Sequence, residues 1–363
     1  MMMLRRACPT TVHMGARAWR SVSLGRRPLV VIDANLTFAF DAPTIRLDAA
    51  DADLGTVRAL TDQITVHAPD VLVGVGGGSV LDVVKLAGVP ALADILEVRG
   101  RRAGVVGLPD TAPAFRRVFV PTTIGTGVEV SAVACVRLGA DKRLAIGTGL
   151  APEIAVLDPE FTEGLPPVLL REGVLEALLR VLGPFAGSPP VGGLPDAEAE
   201  MLVRRLVAVG DRLAAGDTGS RTRLEAATLS AATHTGWALV GRNTYGAKHW
   251  YLANELSTVL GVRKMVATAH LLPAVWSSIM AGDRRFGSAE RLAVAWQWIA
   301  DSAPVIGLQE LLHRWDLTYA LTTTDAQRAE AAQRARRSWG GRLPMLAGLS
   351  AADIEEVYAS CSI

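Results

Sequence analysis

Over the first 160 residues the apolar positions fall in short unbroken runs, and beyond them they recur at helical spacing. The runs at 28–33 (PLVVID) and 71–75 (VLVGV) lack the alternation of a half-solvated strand. Strands of that kind are buried on both faces, as in a parallel sheet. Further strands are read at 10–14, 44–47, 118–120 and 154–157, with a hairpin from 130–137 and 143–146 and a helix over 53–67. The segment 34–43 is too short and too aperiodic for the helix that normally joins neighbouring parallel strands. Its shortness predicts that part of one sheet face is uncovered and needs another cover, such as a partner chain. From about Pro166 the pattern is helical throughout. Gly183-Pro184 is expected to stop the first helix, and a Pro/Gly loop at 188–195 to precede the next. Capping boxes of Thr222 with Glu225 and Thr324 with Gln327 open later helices, Gly261 closes the one around His249, and Ser350 with Asp353 opens the last. The layout is an α/β domain over 1–160 and an all-α domain over 161–363.

Two loops carry the candidate chemistry. The run 71–75 ends in Gly76-Gly77-Gly78-Ser79, and a helix-period segment follows at once. Glycines there let backbone N–H groups approach a phosphate, and the helix start adds partial positive charge. Ser79 stands where it can cap that helix or donate to a phosphate oxygen. A tight turn with no ligand explains the same residues equally well. The second loop, Pro121-Thr122-Thr123-Ile124-Gly125-Thr126-Gly127, suits close packing against a ribose, phosphate or nicotinamide, and is equally an ordinary loop composition. Asp33 ends the strand 28–33; an acid there can hold ribose hydroxyls and repel a 2′-phosphate, or can simply cap the next element.

Composition narrows the partners. With 363 residues, half of them hydrophobic, and a mean hydropathy of +0.28, the chain has material for two cores. No apolar run approaches the ~18 residues needed to span a bilayer. A net charge of +1 excludes nucleic acid or an anionic membrane as a bulk electrostatic partner. Cys8, Cys135 and Cys361 have no metal or redox spacing, which points to a reducing, cytoplasmic compartment. The opening 1–27 carries Arg5, Arg6, Arg17, Arg20, Arg26 and Arg27 and no acid. It reads as a first strand with a basic surface rather than a transit peptide. Only four of the 37 basic residues are lysines: Lys85, Lys142, Lys248 and Lys264.

The glycine stretches, their separation and the α/β-then-α layout resemble the iron-containing alcohol dehydrogenase family, part of a superfamily shared with dehydroquinate synthase. The family pattern GGGS-x-x-D-x-x-K stands here as Gly76 to Ser79 with Asp82 and Lys85. The pattern PTT-x-GTG-S-E stands as Pro121 to Gly127 with Glu129, and Val128 replaces its serine. Asp158-Pro159 with Leu165-Pro166, and Leu343-Pro344 with Asp353-Ile354, resemble two later motifs. The resemblance implies a dehydroquinate synthase-like fold with NAD as cofactor. Asp33 would be the ribose acid, and Gly77, Gly78 and Ser79 would face the pyrophosphate within the motif that Gly76 and Asp82 complete. Thr122 and Thr123 would line the cofactor cleft, with Lys142 reaching toward it.

The family holds a divalent iron or zinc with an Asp and three His. Aligned from Asp158-Pro159 and Pro166-Pro167, the Asp and first His positions fall on Glu176 and Arg180. The second His falls on His249 within Gly246-Ala247-Lys248-His249, the third, counted back from Leu271-Leu272-Pro273, on Lys264, and a frequent proton-relay His on Ala253. Glu176 and Arg180 are i and i+4, on one helix face. A guanidinium stays protonated, and an ammonium beside a divalent ion meets like-charge repulsion. Arg180 and Lys264 would thus take the ion's place and neutralise Glu176, and Glu176 with His249 are too few ligands for a tight site. His234 and His270 read as core histidines rather than substitute ligands.

Three functions follow from the resemblance. The first is a dehydrogenase-like protein that has lost its metal chemistry, keeps NAD, and serves as an accessory or scaffold subunit of a partner enzyme, with or without homodimerisation. Divergent members of the family occur in pathways for ribosomally made, modified peptides of the daptide type, which implies a peptide substrate. The second is an active NAD-dependent alcohol or aldehyde oxidoreductase with iron or zinc. The third is a metal-free catalyst in which Arg180 and Lys264 polarise a carbonyl or grip a carboxylate.

Overall fold

The computed structural model describes residues 8–89, 91–101, 103–111 and 113–361, so Arg5 and Arg6 of the basic opening lie outside it. The first strands are β1 (Thr11–Met14), β2 (Pro28–Asp33) and β3 (Thr44–Leu47), followed by helix α1 (Leu54–His67). Strand β4 (Val71–Gly76) runs into α2 (Gly78–Ala87), and α3 (Leu92–Gly100), β5 (Val105–Gly107) and β6 (Arg116–Pro121) come next. The α/β part ends with β7 (Val133–Leu138), β8 (Asp141–Ile146) and β9 (Ile154–Leu157). Helices α4 (Pro167–Ala186), α5 (Gly193–Ala214), α6 (Ser220–Thr235), α7 (His249–Leu260) and α8 (Lys264–Met280) follow. Helices α9 (Ala289–Gln297), α10 (Pro304–Arg314), α11 (Asp325–Trp339) and α12 (Ala351–Ser360) complete the chain.

A six-stranded, all-parallel sheet runs in the order β1-β9-β6-β4-β2-β3. A smaller sheet, β5-β8-β7, contains the antiparallel β7–β8 hairpin read from the sequence. The unbroken apolar runs are explained by two cores. Leu29, Val31, Leu72 and Phe119 face one core with α1 and α2, while Val30, Ile32, Val73, Val75, Val118 and Val120 face the other. Successive side chains of a strand alternate faces, so both parities must be apolar.

The second face is where the missing crossover helix should have left a gap. It is covered by the chain itself. Segment 34–43 forms neither helix nor strand, and its alternate residues Leu36, Phe38, Phe40 and Ala42 pack on that core beside Trp19, Val22 and Leu24. Phe38 lies 4.6 Å from Phe161 and Trp19 5.1 Å from Phe40, ring centre to ring centre. The apolar signal in this strap has period two, so a search for helical period passes over it.

The chain divides into two compact units, one of residues 8–170 with Thr218–Thr235 and one of Arg171–Asp217 with 236–361. Helix α6 therefore belongs with the parallel sheet. It opens at Ser220, so Thr222 lies inside it rather than at its cap. Helix α4 runs on past Pro184 to Ala186. Proline loses only one intrahelical bond there, in the last turn. The boxes at Thr324 with Gln327 and Ser350 with Asp353 are both formed, and Gly261 caps α7 with φ 65°. Among the described residues no helix is long and apolar enough to cross a membrane.

Candidate functional site

In the α/β unit, the register brings the first group of candidates to one edge. Strands β2, β4 and β6 are parallel neighbours, with Ile32 beside Val75 and Gly76 beside Pro121. Asp33, the turn 76–79 and Thr122–Thr123 thus leave the sheet together at its carboxyl end, where open α/β sheets take their ligands. A Cβ on Gly76 would lie 2.8 Å from Val80 Cβ, so only glycine lets β4 turn directly into α2. Gly77 and Gly78 face the second loop: a Cβ there would lie 3.1 Å from Thr123 Cγ2 and 3.0 Å from Thr126 Cγ2. Helix α2 starts from Gly77 with no side-chain cap, and Ser79 is exposed, so the capping role considered for Ser79 is not realised. Thr123 Oγ1 is buried and has no hydrogen-bond partner among the described residues. Asp33 Oδ1 accepts from Asn35 N at 3.0 Å. An uncapped helix start, a glycine cradle and a buried hydroxyl in need of a partner fit a dinucleotide pyrophosphate.

The rest of the motif has an internal role. Lys85 is fully buried, and its Nζ donates to Ser131 O at 2.7 Å and Val133 O at 2.8 Å. Burial pushes its pKa down to about 8, against the opposing pull of Asp82 and Glu129. Asp82 therefore acts on Lys85, from within α2. Lys142 sits on β8 opposite Arg137. His234 of α6 lies over Gly127, in the same unit.

In the helical unit, Glu172, Glu176 and Arg180 are spaced by four along α4 and share a face. The start of α8 meets that face. Lys264 Nζ donates to Glu176 Oε1 at 2.7 Å, and Arg180 Nη2 lies 3.6 Å from the same oxygen. One turn earlier, Arg263 grips Glu172 through Nη2 at 2.7 Å and Nε at 3.2 Å, and Tyr319 Oη donates to it at 2.7 Å. Burial alone would raise the Glu176 pKa, but the Lys264 and Arg180 charges, with the Lys264 hydrogen bond, hold it below the usual carboxylate range. His249 is buried, tilted against Trp250 with ring centres 4.5 Å apart, and Lys264 Nζ lies 4.9 Å from the Trp250 ring centre. Burial, then the Lys264 charge, lowers the His249 pKa to about 3.

Glu176, Arg180 and Lys264 thus converge as the alignment implied. The Glu172–Arg263–Tyr319 cluster beside them was not anticipated, although the i, i+4, i+8 spacing on α4 was its available signal. A divalent ion would need the Glu176 oxygen that the ammonium holds, so these residues as they stand do not fit one. Among the described residues, no three His, Cys, Asp or Glu side chains group as a metal site. His270 Nδ1 is hydrogen-bonded to Tyr319 O at 3.0 Å, and the residue is half-buried rather than in the core.

Residues 9–159 match the family model for iron-containing alcohol dehydrogenase. A stretch of 146 residues is 33% identical to long-chain-alcohol dehydrogenase 1 of Geobacillus thermodenitrificans, covering 38% of this chain and 35% of that protein. The matched stretch spans about a third of the length of the first curated relatives. The fold extends much further. NADH-dependent butanol dehydrogenase A of Thermotoga maritima superposes with a TM-score of 0.80 at 16% identity, over 98% of both chains. Sulfoacetaldehyde reductase of Bifidobacterium kashiwanohense, solved with NAD+, superposes with a TM-score of 0.77 at 19% identity, over 100% of this chain and 99% of that one. Residues 9–159 are thus similar in sequence to the iron-containing alcohol dehydrogenases, and nearly the whole chain carries the fold of these solved dehydrogenases and reductases.

Proposed function

We propose that this protein binds a nicotinamide dinucleotide at the carboxyl edge of β2, β4 and β6 and does not run metal-assisted alcohol oxidation. In this reading it is an accessory subunit of a partner enzyme. One observation carries the metal half: Lys264 Nζ is hydrogen-bonded at 2.7 Å to the Glu176 carboxylate. Cations at two of four ligand positions leave a carboxylate and one imidazole, one donor short of the three that catalytic zinc sites keep. The nucleotide half is supported by the glycine cradle, the buried Thr123 hydroxyl and Asp33. The solved sulfoacetaldehyde reductase with NAD+ adds to it by likeness of fold.

Cytoplasmic residence accords with Cys8, Cys135 and Cys361 forming no disulfide among the described residues. That the partner modifies a peptide rests on the family resemblance alone, and co-purification with such an enzyme is its test. The decisive experiment is metal analysis with NAD and NADP titration of the purified protein. The proposal requires saturable nucleotide binding without stoichiometric iron or zinc. Stoichiometric metal with chelator-sensitive alcohol turnover would establish the oxidoreductase reading instead. That alternative is favoured by the relatives, which are alcohol dehydrogenases and aldehyde reductases.

A further inference from the structure

We propose that the Lys264 ammonium is the resident cation of a donor pair formed by Glu176 and His249, and that this one side chain decides between a tethered ammonium and a divalent transition metal. The inference rests on the metal-free half of the function proposed above and is independent of nucleotide binding.

A carboxylate as buried as Glu176, 8% exposed in its side chain, needs a positive partner. Lys264 supplies it at 2.7 Å; Arg180, at 3.6 Å, is the more distant charge. The second donor is less well provided for. His249 Nε2 is buried and has no hydrogen-bond partner among the described residues, a costly state for an imidazole nitrogen. Its ring is held against α4 by a glycine: a Cβ on Gly183 would lie 3.0 Å from His249 Cε1 and 2.5 Å from Ala247 Cβ.

The pair therefore retains one carboxylate and one open imidazole nitrogen, donor types that suit zinc, cobalt and iron. Two things exclude a divalent ion. The ammonium occupies the carboxylate oxygen, and a third donor is missing. Both of these sit at residue 264, while the Arg180 guanidinium, 3.6 Å from the same oxygen, is a more distant positive charge that stays in place. The ammonium is itself poorly placed by its own helix, because Lys264 is the first residue of α8, at the positive end of the helix dipole. The Glu176 carboxylate and the Trp250 ring face are what hold it there. Lys264→His would remove the nearer competing charge, the one hydrogen-bonded to Glu176, and add a donor in one step.

The test uses the full chain after chelator treatment, with Co2+ as the probe. The Lys264→His variant should take up about one Co2+ per chain with visible ligand-field absorption, and Co2+ should raise its melting midpoint. Wild type should show neither. Should that variant not fold, Lys264→Ala keeps the proposal open to refutation, since the Lys264 side chain is 37% exposed and the space it leaves can be reached from solvent. Its melting midpoint should fall, and ethylammonium chloride should restore it where sodium chloride at equal ionic strength does not. The proposal is overturned by stoichiometric Co2+ on wild type, by a folded Lys264→His protein that takes none, or by a Lys264→Ala protein indifferent to ethylammonium. NAD titration of the same variants separates the two readings: a failed titration removes the nucleotide proposal and leaves this one standing.

Discussion

His234 fills the space that a side chain on Gly127 would need: a Cβ there would lie 2.0 Å from His234 Cδ2 and 2.1 Å from Nε2. Gly127 also has φ 61°, in the left-handed region. Gly127→Ala should therefore cost roughly 1–2 kcal/mol for the backbone alone, and more for displacing the imidazole of α6. Denaturant unfolding of Gly127→Ala, His234→Ala and the double variant measures the two parts. The double variant should recover the steric share and keep the backbone share, a coupling that additive losses would contradict.

Lys85 is a second internal determinant, and it is pH-dependent. Removing its ammonium in Lys85→Met leaves Ser131 O and Val133 O without their donor and Asp82 and Glu129 without their buried cation. The loss should be about 2–4 kcal/mol. The sign with pH runs the other way. With a folded pKa near 8 against the ordinary lysine value of 10.5, the unfolded chain binds the extra proton between those values. This residue's contribution to stability therefore rises with pH from about 8 to 10.5. Unfolding curves across that window should show the rise in wild type and a flatter limb in Lys85→Met.

The strap over the second core gives a third prediction and shows where sequence reading stopped. The buried strands were legible because full burial demands apolar residues at both parities, as in Val30 to Ile32 and Val71 to Val75. The convergence of Lys264 and Arg180 on Glu176 was legible because motif spacing carried the alignment across the helical unit. The covering of the sheet was not, because Leu36, Phe38, Phe40 and Ala42 form no helix, and their partners Trp19 and Phe161 are distant in sequence. The turn at 76–79 looked like a place for Ser79 to cap a helix, and tertiary geometry left that hydroxyl exposed. Phe38→Ala removes the ring that packs 4.6 Å from Phe161. Because Phe38 is only partly buried, the cost should be about 2 kcal/mol, below the usual figure for a core phenylalanine. Increased binding of an apolar dye with a lowered melting midpoint would show that the strap is the cover of this face. An unchanged midpoint would return the face to an outside partner.

A variant at Gly77 tests the proposed nucleotide binding apart from folding. Its φ of −74° is open to any L-residue, so a side chain there meets no backbone penalty. A Cβ would lie 3.1 Å from Thr123 Cγ2, and larger groups would project into the space between the two loops. Gly77→Val should therefore lower the melting midpoint only modestly, through the Thr123 contact and a poorer helix start, while filling the cradle proposed to take a pyrophosphate on backbone N–H groups. Nucleotide affinity should fall by about tenfold or more, equivalent to roughly 1.4 kcal/mol. Fluorescence titration with reduced nicotinamide dinucleotide measures it, and differential scanning calorimetry supplies the control for folding. An affinity unchanged in a folded Gly77→Val protein would place the nucleotide elsewhere, because a pyrophosphate lying on the start of α2 cannot share that space with an isopropyl group.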